Sequence, residues 1–356
     1  MNSMMSLAKT FGYLAGFWLL FCPVSGHAGT DETYRIPGHV FGTAVEVAIY
    51  GESEARANQL AASVLNEFDR LHHKFHAWQP SALTMLNDHI AQGETFEADV
   101  EMVDLLQSAT TLAERSDNLF NPAIGRLIRL WGFQSSDIAA RSPQPAEIRK
   151  WVNANPRMTD LRYDGNRISS RNKAVMLDLG GYAKGYALDR AATILRGQKV
   201  KAALINVGGN ILAIGQPGNR PWKVGIRDPR GEGMVASISL HDNEAIGTSG
   251  DYERYFMKDG KRHPHIIDPR TGETTDLIAS VTIITAGGDD AGLRSDGNTK
   301  PLFVAGPLHW RAVAKRLGLK EVMVIDASRH VEMTPAMRAR MTTGEKRVTV
   351  PEPGRQ

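Results

Sequence analysis

The segment Leu177-Asp178-Leu179-Gly180-Gly181-Tyr182-Ala183-Lys184-Gly185-Tyr186 decides how this chain is interpreted. It predicts a strand over Val175-Met176-Leu177, an acid, a Gly-Gly turn and then a helix over Lys184 to Leu195. Such a junction exposes main-chain N–H groups at the positive end of the helix dipole and can hold a phosphate. Asp178 and Lys184 are candidate ligand contacts, but Gly-Gly between a strand and a helix is also a common plain turn, so the motif alone leaves both interpretations open.

A second polar group lies further along the chain, at Gly247 to Phe256 and Arg262 to Gly272. It combines hydroxyls, carboxylates, arginines and two histidines, which is the mixture that a site for phosphate esters requires. Arginine and histidine neutralise charge that develops on phosphate oxygens, and either histidine is a candidate general acid or base. The alternative is a hairpin in which Asp268-Pro269-Arg270-Thr271-Gly272 is only a turn.

The pattern of apolar residues predicts a mixed α and β fold. Alternation over Ala44 to Ile49 predicts a strand, and helical spacing over Ser53 to Phe75 and Val100 to Arg115 predicts two helices. Glycine-bounded apolar runs dominate the second half as far as Val304, which indicates strands there. We therefore predict an α+β domain over residues 29–327, followed by a basic tail over residues 328–356.

The composition limits the classes of protein to consider. The 356 residues are 42% hydrophobic, with 34 glycines and 17 prolines, which suits a loop-rich globular enzyme. The formal net charge is +3, without a concentrated basic stripe, so nucleic-acid binding is not predicted.

The first 28 residues have the pattern of a cleavable signal peptide. Lys9 precedes an apolar stretch from Phe11 to Phe21, and Gly26-His27-Ala28 offers small residues at a cleavage site. An uncleaved anchor is the alternative, but the apolar run is shorter than a spanning helix needs. Cys22, the only cysteine, lies in this leader after Phe21, an unfavourable neighbour for lipidation. A mature chain without thiols fits the periplasm.

Eight segments in one order resemble the ApbE family of FAD:protein FMN transferases over nearly the whole predicted mature chain. Each motif alone is weak, and the resemblance depends on their order. They are Phe41-Gly42-Thr43, Trp78 with Leu86-Asn87, Leu130 to Phe133, Asp178 to Tyr186, Asn206 to Asn210, Thr248 to Phe256, His265 to Gly272, and Leu302-Phe303-Val304.

The resemblance implies a single α+β domain related to the T-fold with a deep flavin pocket. It implies cleavage of the FAD pyrophosphate with Mg²⁺, attachment of FMN to a Thr or Ser of a target protein, and release of AMP. The FAD contacts that it implies are Phe41, Trp78, Leu119, Phe120, Asp178, Lys184 and Ile267. The catalytic residues that it implies are Thr248 and Ser249 at the phosphates and His265 as acid or base.

The predicted metal site departs from the family pattern. The family has an Asp and, four residues later, a Thr that bind Mg²⁺ together with a main-chain oxygen of the Asp-Leu-Gly-Gly segment. Asp296 matches the acid, but Lys300 stands at the Thr position and Thr299 is one residue earlier. Either Gly181, Asp296 and Thr299 hold Mg²⁺, or the Lys300 ammonium replaces the metal; a protonated lysine is no Mg²⁺ ligand.

Three functions are compatible with the resemblance. The first is a periplasmic FMN transferase that acts on a flavin-accepting membrane or periplasmic redox protein. The second is a non-catalytic FAD-binding flavoprotein or flavin donor in redox-enzyme maturation, of the kind associated with nitrous oxide reductase assembly. The third is a Mg²⁺-dependent FAD pyrophosphatase that uses water as the nucleophile.

Overall fold

The computed structural model of this protein describes residues 31–135, 138 and 142–342. The predicted signal peptide, including Cys22, lies outside the described residues. The helices are α1 Glu54–Lys74, α2 Ala82–Gln92, α3 Val100–Arg115, α4 Gly125–Leu130, α5 Pro145–Ala154, α6 Ala183–Gly197, α7 Ala291–Gly297, α8 Thr299–Leu317 and α9 Pro335–Arg340, with a 3₁₀ turn at Met158–Asp160. The strands are β1 Thr33–Val40, β2 Thr43–Tyr50, β3 Phe96–Glu97, β4 Leu161–Asp164, β5 Arg167–Ser170, β6 Ala202–Val207, β7 Asn210–Ile214, β8 Trp222–Arg227, β9 Met234–Leu240, β10 Glu244–Gly250, β11 Tyr255–Lys258, β12 Lys261–Pro264, β13 Ile278–Ala286, β14 Glu321–Asp326, β15 Val331–Met333 and β16 Met341–Thr342.

The centre of the fold is an eight-stranded antiparallel sheet. Its strand order is β1-β2-β6-β7-β10-β13-β14-β15. The central strand β13 is buried along almost its whole length, as expected for a strand that is covered on both faces. This confirms the α+β class predicted from the apolar pattern.

The two faces of this sheet are covered differently. Helices α1, α2, α3, α6 and α8 contribute buried side chains to the larger core on one face, with Phe68 and Leu106 fully buried. The three-stranded sheet β16-β9-β8 covers the other face, where Ile238 and Val224 pack on residues such as Ala48.

A third apolar cluster surrounds Trp131 between α4, α5 and the β11-β12 hairpin. The indole Nε1 donates to the carbonyl oxygen of Gly272 at 2.8 Å, and the His263 ring stacks on Phe256. Gly272 has φ +71°, and a Cβ there would lie 2.6 Å from Ile148. The Asp268–Gly272 turn is therefore fixed against α4 and α5, so it is more than a loop end.

Two predicted strands are wrong. Val175-Met176-Leu177 forms only an isolated bridge at Met176, since the side chain of Asn87 supplies the hydrogen bonds that a neighbouring strand would give. Leu302-Phe303-Val304 lies in α8, which packs on β13 and is kinked at Gly306 (φ 76°) before Pro307. A short apolar run does not distinguish a buried helix from a strand.

The predicted C-terminal tail begins too early. β15 pairs with β14, and β16 pairs with β9, so the chain from Val331 to Thr342 belongs to the fold. Arg340 fixes this segment by donating to Glu244 and Glu321. Within the described residues, none of the helices is long and apolar enough to cross a membrane.

Candidate active site

The glycine turn before α6 is held in place by a buried asparagine. Asn87 on α2 donates to the carbonyl oxygen of Leu177 at 2.9 Å and accepts from its N–H at 2.6 Å. The N–H of Asp178 then donates to the carbonyl oxygen of Pro122 at 2.9 Å. These bonds satisfy the N–H and carbonyl groups of the extended backbone before the turn and so fix the position of Gly180 and Gly181 ahead of the helix.

Asp178 stabilises the same turn. Its Oδ1 accepts from the N–H of Gly180 at 2.9 Å, and its Oδ2 accepts from the Gln134 amide at 3.3 Å. Burial raises the pKa of Asp178, and these hydrogen bonds and the charge of Arg254 partly oppose that rise. Its two oxygens are thus already used within the protein, although an acceptor oxygen has further lone pairs for a ligand.

His265 lies just after β12 and is held by Arg254. Its main-chain N–H donates to the carbonyl oxygen of Arg254 at 2.9 Å, and its Nδ1 lies 3.2 Å from the same oxygen. A carbonyl oxygen only accepts, so the proton of the neutral ring is on Nδ1 and Nε2 carries the lone pair. Burial and the charges of Lys184, Arg254 and Lys300 lower the pKa of His265 to about 3.

Two of these cations have no carboxylate partner. Among the described residues, neither Lys184 nor Arg254 forms an ion pair; the Arg254 guanidinium donates instead to the carbonyl oxygens of Phe133 and Ser135, at 2.9 and 2.7 Å. It also lies 5.5 Å from the ring centre of Trp78. Burial lowers the pKa of Arg254. His265 therefore lies near positive charges, and the carboxyl of Asp178 offsets part of that of Arg254.

The third cation, Lys300, is paired. Its ammonium contacts Asp296 Oδ1 and donates to the Asp296 carbonyl oxygen at 2.8 Å, while Asp296 Oδ2 accepts from the N–H of Gly185 at 2.9 Å. Asp296 is fully buried. A Cβ placed on Gly181 would be 3.1 Å from Lys300 Cε, so the lysine stem lies across the glycine turn. Burial lowers the pKa of Lys300, and Asp296 opposes that effect.

The predicted metal ligands lie together, but they do not fit Mg²⁺ as they stand. Thr299 Oγ1 donates to the Asp296 carbonyl oxygen at 2.6 Å and lies 2.7 Å from Ser249 Oγ. The Lys300 ammonium contacts the oxygens of Asp296 that a metal would need. In the described part of the chain, no three His, Cys, Asp or Glu residues form a group suited to a metal ion. Mg²⁺ binding by Gly181, Asp296 and Thr299 stays a prediction.

The two predicted hydroxyls of β10 lie on opposite faces of the sheet, because side chains alternate along a strand. Ser249 faces α8 and joins the Thr299 and Asp296 cluster. Thr248 pairs with Thr282 at 3.0 Å, and its N–H donates to the side chain of Asn210. Of the two, Ser249 is the one that lies beside Thr299 and Asp296.

The apolar residues among the predicted FAD contacts fall into four places. Phe41 and Trp78 lie at the ends of a row of edge-to-face rings completed by His72 and His76. Phe120 packs on Tyr182 beside the glycine turn, with ring centres 5.2 Å apart. The other two are further apart: Ile267 is buried in the Trp131 cluster, and Leu119 lines a cavity with Arg270 and residues of α8.

The sequence analysis did not identify three side chains that contact the predicted site residues. Gln134 bonds Asp178, but it precedes a polar segment that carries no motif. His72 is in the last turn of α1 and His76 lies two residues beyond its end, with the ring centres 4.9 Å apart. The sequence offers no signal for Gln134, and the turn that brings His76 onto His72 comes after the helix.

Fold and site together define an α+β protein in which a neutral histidine lies near a glycine turn and near two cations that form no ion pair with the described residues. The sequence model of the ApbE family matches residues 41–324, and the chain belongs to that family. An FAD:protein FMN transferase of Rhodobacter capsulatus is 40% identical over 86% of this chain. One of Klebsiella pneumoniae is 28% identical over 87% of it. The chain spans 58% of the Rhodobacter protein and 90% of the Klebsiella protein.

Solved structures agree with this assignment. The ApbE protein of Thermotoga maritima superposes with a TM-score of 0.80 at 31% identity, over 87% of this chain and 100% of that one. The flavinyl transferase ApbE of Pseudomonas stutzeri, in its apo form, gives 0.75 at 27% identity, over 88% and 98%.

Proposed function

We propose that this protein is an FAD:protein FMN transferase. The observation that carries the proposal is the neutral His265, whose Nε2 lone pair lies among cations at a glycine turn before a helix. Membership of the ApbE family and the names of the relatives support the same activity. A base beside a site for a diphosphate is what transfer of a nucleotidyl group to a hydroxyl requires.

In the proposed reaction, a threonine or serine hydroxyl of an acceptor protein attacks the phosphorus of the FMN half of FAD. The new P–O bond forms as the bond to the AMP phosphate breaks, so AMP leaves. His265 Nε2 takes the hydroxyl proton. Lys184, Arg254 and the N–H groups of the Gly180-Gly181 turn stabilise the negative charge on the phosphate oxygens.

Phe41, Trp78 and Phe120 form the apolar walls of the proposed flavin and adenine positions, because stacked rings need flat apolar surfaces. Ser249 lies at the phosphates. Mg²⁺ is the metal that the family resemblance implies, but the Lys300 ammonium contacts the Asp296 oxygens that would hold it. We further propose export to the periplasm by a cleavable signal peptide, with a membrane or periplasmic redox protein as the acceptor.

The test is to incubate the purified protein with FAD and a membrane fraction of the cells that produce it. Transfer gives AMP and a flavin-fluorescent band that survives denaturation. A yellow protein without AMP release would instead identify the non-catalytic flavoprotein, the alternative that Lys300 favours. AMP release that does not depend on the membrane fraction would identify the pyrophosphatase.

A further inference from the structure

We propose that Lys300 is a built-in cation of the FAD site, so that this protein binds the FAD pyrophosphate without a divalent metal. The inference rests on the proposed function, because it takes FAD as the ligand. It concerns the pair of Lys300 and Asp296 at the glycine turn.

The position of the ammonium is the first argument. Lys300 Nζ contacts both the side chain and the carbonyl oxygen of Asp296, and its stem crosses Gly181. These are the groups that a metal at this turn would need. An ammonium is a compact positive charge, so it can occupy the position of a metal ion, although it carries half the charge of a divalent metal.

Charge balance is the second argument. The FAD pyrophosphate carries two negative charges. Lys184 and Arg254, which form no ion pair within the described residues, supply two positive charges near His265, Asp178 lies close enough to Arg254 to act on its pKa, and Lys300 with Asp296 is neutral overall. The site therefore offers cations to the pyrophosphate without a metal, and the Lys300 ammonium already neutralises the carboxylate that a divalent ion would need.

Free hydrogen-bonding capacity is the third argument. A protonated lysine has three N–H donors, and in the described structure the acceptors of Lys300 are both on Asp296. One donor is thus available to a phosphate oxygen. A charge-assisted hydrogen bond of this kind adds both affinity and orientation.

The experiment titrates the full protein with FAD by flavin fluorescence, in EDTA and in MgCl₂. The wild type is expected to bind FAD equally in both buffers, within about twofold. Lys300→Thr, which restores an oxygen where the family has one, is expected to bind about tenfold more weakly in EDTA, the loss of roughly one charge-assisted bond, and to recover in MgCl₂. Lys315→Thr, the same change at an exposed position of the same helix, is expected to match the wild type.

Mn²⁺ binding to the FAD-loaded proteins, followed by electron paramagnetic resonance, gives a second readout. Binding is expected for Lys300→Thr and not for the wild type. Tighter wild-type FAD binding in MgCl₂ by about tenfold, or a bound Mn²⁺ in the wild type, would overturn the inference while leaving transfer intact. If the wild type binds FAD in neither buffer, the proposed function fails, and this inference fails with it. The wild-type measurements decide the matter even if Lys300→Thr does not fold.

Discussion

His265 donates from Nδ1 to the main-chain carbonyl oxygen of Arg254, 3.2 Å away, and this one bond fixes which ring nitrogen can accept a proton. The guanidinium of the same arginine helps to keep the ring neutral, because it lowers the pKa of His265 together with burial and Lys184. A bound pyrophosphate would reverse part of that effect, since an anion favours the charged imidazolium. The base would therefore become stronger when FAD is present.

Replacing His265 by Gln should remove the base and leave FAD binding in place. We expect transfer to fall by about 100-fold or more, the size typical of a lost general base, with little change in FAD affinity. The measurements are single-turnover AMP release and a fluorescence titration. His263→Gln is the control, because that ring stacks on Phe256 outside the cation cluster. Equal loss in both variants would argue that the effect is structural.

Arg254→Met should weaken FAD binding by about tenfold, because it removes one of the two cations near His265 that form no ion pair with the residues the structure describes. The salt dependence of FAD affinity should also become shallower, since fewer charges attract the ligand. Titrations at low and high NaCl measure both effects. Arg311→Met, an exposed arginine paired with Glu332, provides the control. An unchanged affinity and salt slope in Arg254→Met would place the pyrophosphate elsewhere.

Gly185→Ala should separate α6 from α7. The new Cβ would lie 2.4 Å from the carbonyl oxygen of Gly292 and 2.7 Å from Asp296 Cβ, and backbone cannot move aside cheaply. We expect a loss of about 1–3 kcal/mol in the free energy of unfolding, the cost of overpacking, measured with urea. Gly197→Ala at the end of the same helix has open space and should not destabilise the protein. Similar values for the two variants would contradict the close approach.

Asp189 should make stability fall as the pH rises. Burial raises the pKa of Asp189 to about 7, although the N–H groups of Gly292 and Leu293 donate to its oxygens at 2.7 Å. The folded protein thus holds this proton more tightly than the unfolded chain between about pH 4 and pH 7, so the contribution of Asp189 decreases over that window.

Urea unfolding of the wild type and Asp189→Asn at pH 5 and pH 8 tests this sign. The stability advantage of the wild type over Asp189→Asn should be larger at pH 5. An advantage that grows towards pH 8 would mean that the ionised carboxylate is the stabilised form.

The sequence predicted the fold class better than it predicted the structure of single segments. Asp178, Lys184, His265 and Asp296 were selected by the order of the motifs along the chain, and their roles in the site stay a prediction. The strands at Val175–Leu177 and Leu302–Val304 were wrong because the partners that decide them, Asn87 and β13, are distant in the chain. The sequence alone does not show that Thr248 and Ser249 lie on opposite faces of the sheet, because that depends on the strand register. It also does not show which cations lie near His265, because residues distant in the chain bring them together.

The most direct test of the central claim is the ratio of AMP released to flavin covalently attached to an acceptor protein, with FAD as the only flavin supplied. Transfer through His265 predicts equal amounts of both products in the wild type, and about 100-fold less of both in the same time in His265→Gln. AMP without attached flavin, or bound FAD that yields neither product in the wild type, would contradict the account.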